Sequence, residues 1–357
     1  MKKVIFCFDG TSNDPTDSQD FFTDTSISNV LKLYCFLGGI LPKGTSSKID
    51  TSIQESFYYS GVGTRGNWFI QKFNTWFAPP YGDMSDIIAD ANKDLSKFEK
   101  DNIEIYIFGF SRGAAIARRF ASQLNPKYRV KFLGVFDTVA ATRGSLDLKS
   151  DTYPASGIVF ENGTLGEHVE KAVHLVSIDE KRIAFQPTLF NKDDRVLEVW
   201  FSGVHSDIGG GYWFDALSDI TLQFMCDYVS SQLKLLSIDE IEYNKLKVDD
   251  ETNICKDDLE ILPFISGKMH EQQRAGVSKN LLAPRLVRVN INDHPSSTDY
   301  PIIHHSVIDR FFEVKSYRPY ALRDTRFKVL NKNNDISEEV YHGINGFRSL
   351  KSSESFK

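Results

Sequence analysis

The sequence predicts an α/β fold with a mostly parallel central sheet covered by helices on both faces. Three observations carry this. Apolar, β-rich runs occupy residues 4–8, 103–108, 131–136, 172–178 and 196–201, and each is nearly continuous rather than alternating, as strands buried on both sides are. Helix-like segments lie between them. Strands alternating with helices mean α/β architecture.

Taken in order, the first strand is VIFCF at residues 4–8. Only five apolar residues separate Lys3 from Asp9, too few for the core of a signal peptide. A weaker strand is expected at 56–60, before Gly61-Val62-Gly63. The segment 85–99 carries Ile87, Ile88, Ala91, Leu95 and Phe98 at three- and four-residue spacing, an amphipathic helix. Another helix is expected at 114–124, and a third at 217–236, with Leu217, Ile220, Phe224 and Tyr228 on one face. Residues 237–300 are polar and lack clear strand runs. The expected division is a core at 1–215, a helical and loop appendage at 216–350 and a flexible tail at 351–357.

Composition narrows the function. The chain has 357 residues, 42 Lys and Arg against 48 Asp and Glu, and a net charge of −6. The two signs are interspersed, which argues against a nucleic-acid partner. The four cysteines, Cys7, Cys35, Cys226 and Cys255, form no C-x-x-C pair, so folding in a reducing compartment is expected. No apolar run approaches the roughly 18 residues of a membrane span. The expected location is the cytoplasm at synthesis, with any export by a route independent of a signal peptide.

The chemistry is carried by IEIYIFGFSRGAAIARRFA at 103–121. A strand runs into Gly109-Phe110-Ser111-Arg112-Gly113 and a helix begins at once. In a nucleophile elbow the serine occupies a strained strand-to-helix turn, and glycines two residues to either side avoid collisions with neighbouring backbone. This makes the fold α/β-hydrolase-like and Ser111 the candidate nucleophile. A serine hydroxyl needs a base, and the base an orienting carboxylate, in the chain order Ser, Asp or Glu, His. His205, in WFSGVHSDIGGGY, follows a late strand and precedes three glycines that let its loop approach the serine. His304 and His305, in IIHHSVIDRF, are the alternative bases or neighbours of the pocket.

Two strand ends compete for the acid. Asp137 follows LGVF and Asp179 follows HLVSI; Asp137 is preferred because Asp179 sits among Glu180, Lys181 and Arg182. Asp207 lies too near His205 in sequence to be the first choice. The oxyanion donors expected are the backbone N–H of Arg112 and one from Gly10 or Thr11 after the first strand. Asp9 reads as a turn cap; Asp9 and Asp207 are two isolated carboxylates, and no metal or cofactor is expected. Trp68, Phe69, Phe73, Trp76 and Phe77 offer an acyl-binding wall or a cap on the sheet.

With these blocks read, the chain resembles the phospholipase domain of type VI secretion lipase effectors and related bacterial and fungal proteins. FDGTSND, SGVGT, the GFSRGA elbow, LGVFDTVA, LVSIDEKR, GVHSDIGGGY and IHHSVIDR occur in that family's order over residues 4–310. The resemblance implies release of fatty acid from glycerophospholipids, with Ser111, Asp137 and His205 as the triad. It also implies transient contact with a membrane surface, and a secretion-system component or an immunity protein as partner. Such effectors often carry a large membrane-targeting region, whereas only a modest appendage is expected here. A small-ester or thioester hydrolase, or a catalytically silent scaffold binding a lipid or partner, are the competing readings.

Overall fold

The computed structural model describes residues 1–10, 24–61, 81–140, 165–182, 185–248, 253–270 and 284–352. Nine strands make the central sheet: β1 (Lys2–Phe8), β2 (Gln54–Tyr59), β3 (Ile103–Phe110), β4 (Val130–Phe136), β5 (Ala172–Ser177), β6 (Val196–Phe201), β7 (Ile302–His304), β8 (Arg326–Leu330) and β9 (Tyr341–His342). Their order across the sheet is β9-β8-β7-β6-β5-β4-β3-β1-β2. Every pairing is parallel except β8 with β9, which is antiparallel.

The near-continuous apolar strands follow from burial on both faces. Ile5, Cys7, Tyr106, Phe108, Phe132 and Leu175 point to one side, where α1 (Asn29–Phe36) and α5 (Ala216–Val229) cover them. Val4, Phe6, Phe8, Ile105, Ile107, Leu133 and Val135 point to the other, against α2 (Tyr81–Leu95) and α3 (Ser111–Gln123). The period-two alternation of a strand thus feeds two apolar cores, and no residue in the middle of β1 or β3 can be polar without cost. Phe120 of α3 stands against both Phe6 and Phe8, at 5.0 and 5.5 Å between ring centroids.

The C-terminal region departs from the expectation of a helical and loop appendage. Residues 302–342 add three strands to the sheet, and α6 (His305–Glu313) and α7 (Gly343–Ser352) pack on them through Val307, Ile308, Phe327, Val329 and Phe347. These strands are two to five residues long and carry Arg326 and Lys328. Such short, partly charged runs at a sheet edge give no continuous apolar signal. Helix α5 also ends at Val229 rather than near 236, and α3 begins at Ser111 itself.

The crossover direction reverses between β1 and β3, which lie side by side. In open sheets the crevice outside the carboxyl ends of the strands at such a point is where ligands bind. It brings Gly10, after β1, next to Ser111, after β3: a Cβ built on Gly10 would stand 3.3 Å from Ser111 Cβ.

Candidate active site

Strand β3 ends at Phe110 and α3 starts at the next residue, so Ser111 takes the whole turn, with φ +57°. That left-handed conformation is unusual for a residue with a side chain and is held by its surroundings. The surroundings need glycine. A Cβ at Gly113 would lie 2.2 Å from the Asp9 carbonyl oxygen and 2.3 Å from that of Phe8, and one at Gly109 would lie 2.6 Å from the Gly113 carbonyl. Helix α3 therefore rests directly on the end of β1. Gly113→Ala is expected to destabilise the protein by several kcal/mol, since rigid backbone must move to admit the methyl group. A denaturant midpoint equal to wild type would refute this.

From Ser111 a chain of hydrogen bonds runs inward. The Ser111 hydroxyl stands 2.8 Å from His205 Nε2, and His205 Nδ1 stands 2.5 Å from Asp137 Oδ2. Asp137 accepts only, so the ring proton belongs on Nδ1 and the lone pair on Nε2 faces the serine. All three side chains are buried, Ser111 with 7% exposure and His205 with 4%. The imidazole is wedged between Phe110, at 4.7 Å between centroids, and Phe185, which meets it edge-on at 5.0 Å. The short helix α4 (His205–Gly209) carries the histidine. Its first backbone N–H donates to Glu180, and Asp207 caps it by accepting from Val204 N–H at 2.9 Å.

Asp137 has φ +39° directly after β4. Burial alone would raise its carboxyl pKa, but Arg285 and His205 outweigh it and hold the group well below the usual carboxylate range. Burial lowers the pKa of His205, opposed by the hydrogen bond and charge of Asp137, with a net downward shift. The pair is thus ionised carboxylate and neutral imidazole at neutral pH, the state in which Nε2 can take a proton.

The other expected residues lie elsewhere. Asp179 accepts from Gly203 N–H at 2.8 Å and from the Tyr317 hydroxyl at 2.9 Å, and it faces neither ring nitrogen of His205. Burial pushes its carboxyl up to about 6. The native state therefore holds this proton more tightly than the unfolded chain, so Asp179 withdraws stability as pH rises from about 4 to 6. Asp179→Asn, which keeps an acceptor, is expected to flatten that decline by about 1–2 kcal/mol and leave turnover within about threefold. Melting temperatures across that window decide it; an unchanged slope refutes it.

Asp207 turns to His270 instead, with 2.5 Å between Oδ1 and Nδ1, while His270 Nε2 lies 3.0 Å from Asp24 Oδ2. His304 caps α6, its Nδ1 2.8 Å from the Ser306 hydroxyl, and stacks on Phe201. His305 pairs with Asp309 at 3.1 Å. Neither histidine replaces His205 beside the serine. The Gly10 N–H, expected as a second oxyanion donor, donates to Asp9 Oδ1 at 2.6 Å, and the Asp9 carboxylate also accepts from the Ser28 and Tyr58 hydroxyls. Arg112 N–H stands at the first turn of α3 beside the serine. Thr11 and the aromatic group from Trp68 to Phe77 lie outside the described residues. Among the described residues no group of three or more His, Cys, Asp or Glu side chains is arranged to hold a metal, and no helix is long and apolar enough to cross a membrane.

Sequence reasoning missed three contributors. Arg285 grips Asp137, Glu180 holds the backbone of His205, and His174 accepts from Thr138 N–H at 3.0 Å while its Nδ1 lies 2.8 Å from Glu198. Of these only Arg285 left a trace, as a lone cation in the apolar run LLAPRLV.

A mostly parallel doubly wound sheet with this strained serine at its carboxyl edge is the architecture of the α/β-hydrolase fold. The chain belongs to the family described as type VI secretion system phospholipase effector Tle1-like, catalytic domain, whose model matches residues 2–127 and 119–228. It is similar to an uncharacterized protein from Pseudomonas aeruginosa, with 21% identity, 67% of this chain and 47% of that one covered, and a TM-score of 0.44. It is also similar to the Tle1 effector solved bound to the VgrG spike of the type 6 secretion system, with 22% identity, 59% and 51% covered, and a TM-score of 0.38. An uncharacterized protein of Saccharomyces cerevisiae is 30% identical over 136 residues, 34% of this chain and 17% of the yeast protein. The chain thus spans about half the length of those two structures and under a fifth of the yeast relative.

Proposed function

We propose that the protein is a phospholipase, a carboxylic ester hydrolase that releases fatty acid from glycerophospholipids, with Ser111 as nucleophile, His205 as general base and Asp137 as the orienting acid. The observation that supports it best is the unbroken line of 2.8 and 2.5 Å contacts from the strained serine to the buried aspartate. His205 takes the hydroxyl proton as Ser111 Oγ attacks the ester carbonyl. Arg112 N–H, at the positive end of α3, meets the developing oxyanion. His205 then protonates the departing alcohol, and water attacks the acyl-serine by the same route. Family membership supports the lipid substrate, and with it a secretion-system component as carrier, export without a signal peptide, and a transient membrane-surface contact.

The burial of Ser111 and His205 favours a second reading, a hydrolase of small soluble esters or thioesters. Fatty-acid release from phospholipid vesicles, set beside turnover of a short-chain chromogenic ester, separates the two. Cleavage of both supports the phospholipase, cleavage of the soluble ester alone supports the second reading, and cleavage of neither sinks both. Because His205 is held below the ordinary histidine value, the acid limb of kcat/KM is expected to have its midpoint below pH ~6.5. A midpoint above that value in the wild-type protein would contradict the assigned base.

A further inference from the structure

We propose that Arg285 is a positioning residue for this reaction, fixing the Asp137 carboxylate under His205 and balancing its negative charge there. The proposal rests on the reading of Ser111, His205 and Asp137 given above. Asp137 Oδ1 accepts from Arg285 Nη1 at 2.6 Å and from Ser177 N–H at 2.9 Å. Its Oδ2 accepts from Arg285 Nη2 at 2.8 Å and from His205 at 2.5 Å. The guanidinium is itself anchored, donating to the carbonyls of Ser177 and Phe185. Both side chains of the pair are 0% exposed.

This fork does more than fill space. A planar guanidinium matched to a carboxylate by two bonds fixes the plane of the carboxylate, which a single backbone N–H cannot do. The plane of Asp137 in turn sets where Nε2 points. Electrostatics adds a second effect. The charged groups facing His205 are Asp137 after β4, Glu180 and Arg182 after β5, and Arg285 behind the aspartate; Asp207, on its own helix, is turned to His270. Glu180 and Arg182 are paired, at 2.8 Å between Oε2 and Nη2. Asp137 and Arg285 are paired likewise, so the imidazole meets little net charge. Taking away the Arg285 cation leaves one buried negative charge against the ring, and the protonated, inactive form of His205 becomes favoured.

The test uses the full chain with Arg285→Met and Arg285→Lys, a soluble chromogenic ester, melting temperatures, and an NMR titration of the His205 ring assigned by its loss in His205→Ala. Arg285→Met is expected to raise the midpoint of the acid limb, and of the ring titration, by about one pH unit or more. Arg285→Lys keeps the charge and loses the fork. It is expected to hold both midpoints near wild type while kcat falls about tenfold at unchanged KM, the mark of lost transition-state positioning. A folded Arg285→Met protein with unmoved midpoints overturns the proposal. Should that variant fail to fold, an Arg285→Lys protein with wild-type kcat overturns it alone. The ring titration needs no turnover: if the wild-type protein cleaves no ester, the hydrolase reading fails while the titration still reports on Arg285.

Discussion

Ser111→Ala is expected to lower ester turnover by about 10⁴-fold or more while the protein melts near the wild-type temperature. The serine is the only hydroxyl within reach of His205 Nε2, at 2.8 Å, among the described residues. Alanine removes one oxygen and keeps the Cβ. Position 111 has φ +57°, which alanine tolerates no worse than serine, so the elbow should survive. The two outcomes are therefore separable: stability reports the turn, turnover reports the hydroxyl. A folded Ser111→Ala protein that still cleaves the chromogenic ester at a near-normal rate would remove the nucleophile and with it the mechanism.

His205→Ala should come close to Ser111→Ala in its effect on kcat, because groups that act as one unit fail together when any of them is lost. His304→Ala makes the comparison informative. His304 is equally buried, but its ring works as a helix cap and as a stacking partner of Phe201. Its removal is expected to lower the melting temperature and to leave the catalytic rate within about tenfold, through loss of a cap and of packing. Steady-state turnover of a soluble ester, measured on both variants at one pH, gives the ranking. If His304→Ala were the more damaging of the two to kcat, the base would have to be sought outside the hydrogen-bonded line described here.

Much of this architecture was legible because burial on both faces imprints itself on sequence. VIFCF and IYIFGF leave no room for polar residues, since alternate side chains enter opposite cores. The elbow was legible for a related reason: at Gly109 and Gly113 a single methyl group meets backbone, so the motif is dictated by contact distances. The edge strands were not, because an edge strand a few residues long needs only one or two apolar side chains, and Arg326 and Lys328 disguise the run at 326–330. The choice between Asp137 and Asp179 shows a different limit. Both follow apolar strands, and one strand position separates them; only the turn at φ +39° aims the first at the imidazole, while the second is taken by Gly203 and Tyr317. Glu180 and His174 were illegible altogether, since each acts through the backbone of a neighbour rather than through a motif.

The clamp on Asp137 also has a meaning in time. A ribosome releases the chain from the N-terminus, and domains condense as their elements emerge. His205 follows Ser111 by 94 residues, and Arg285 follows Asp137 by 148. On the roles proposed for Ser111, His205, Asp137 and Arg285, the nascent chain therefore carries its serine elbow, from the emergence of residue 111 to that of residue 285, without a seated acid.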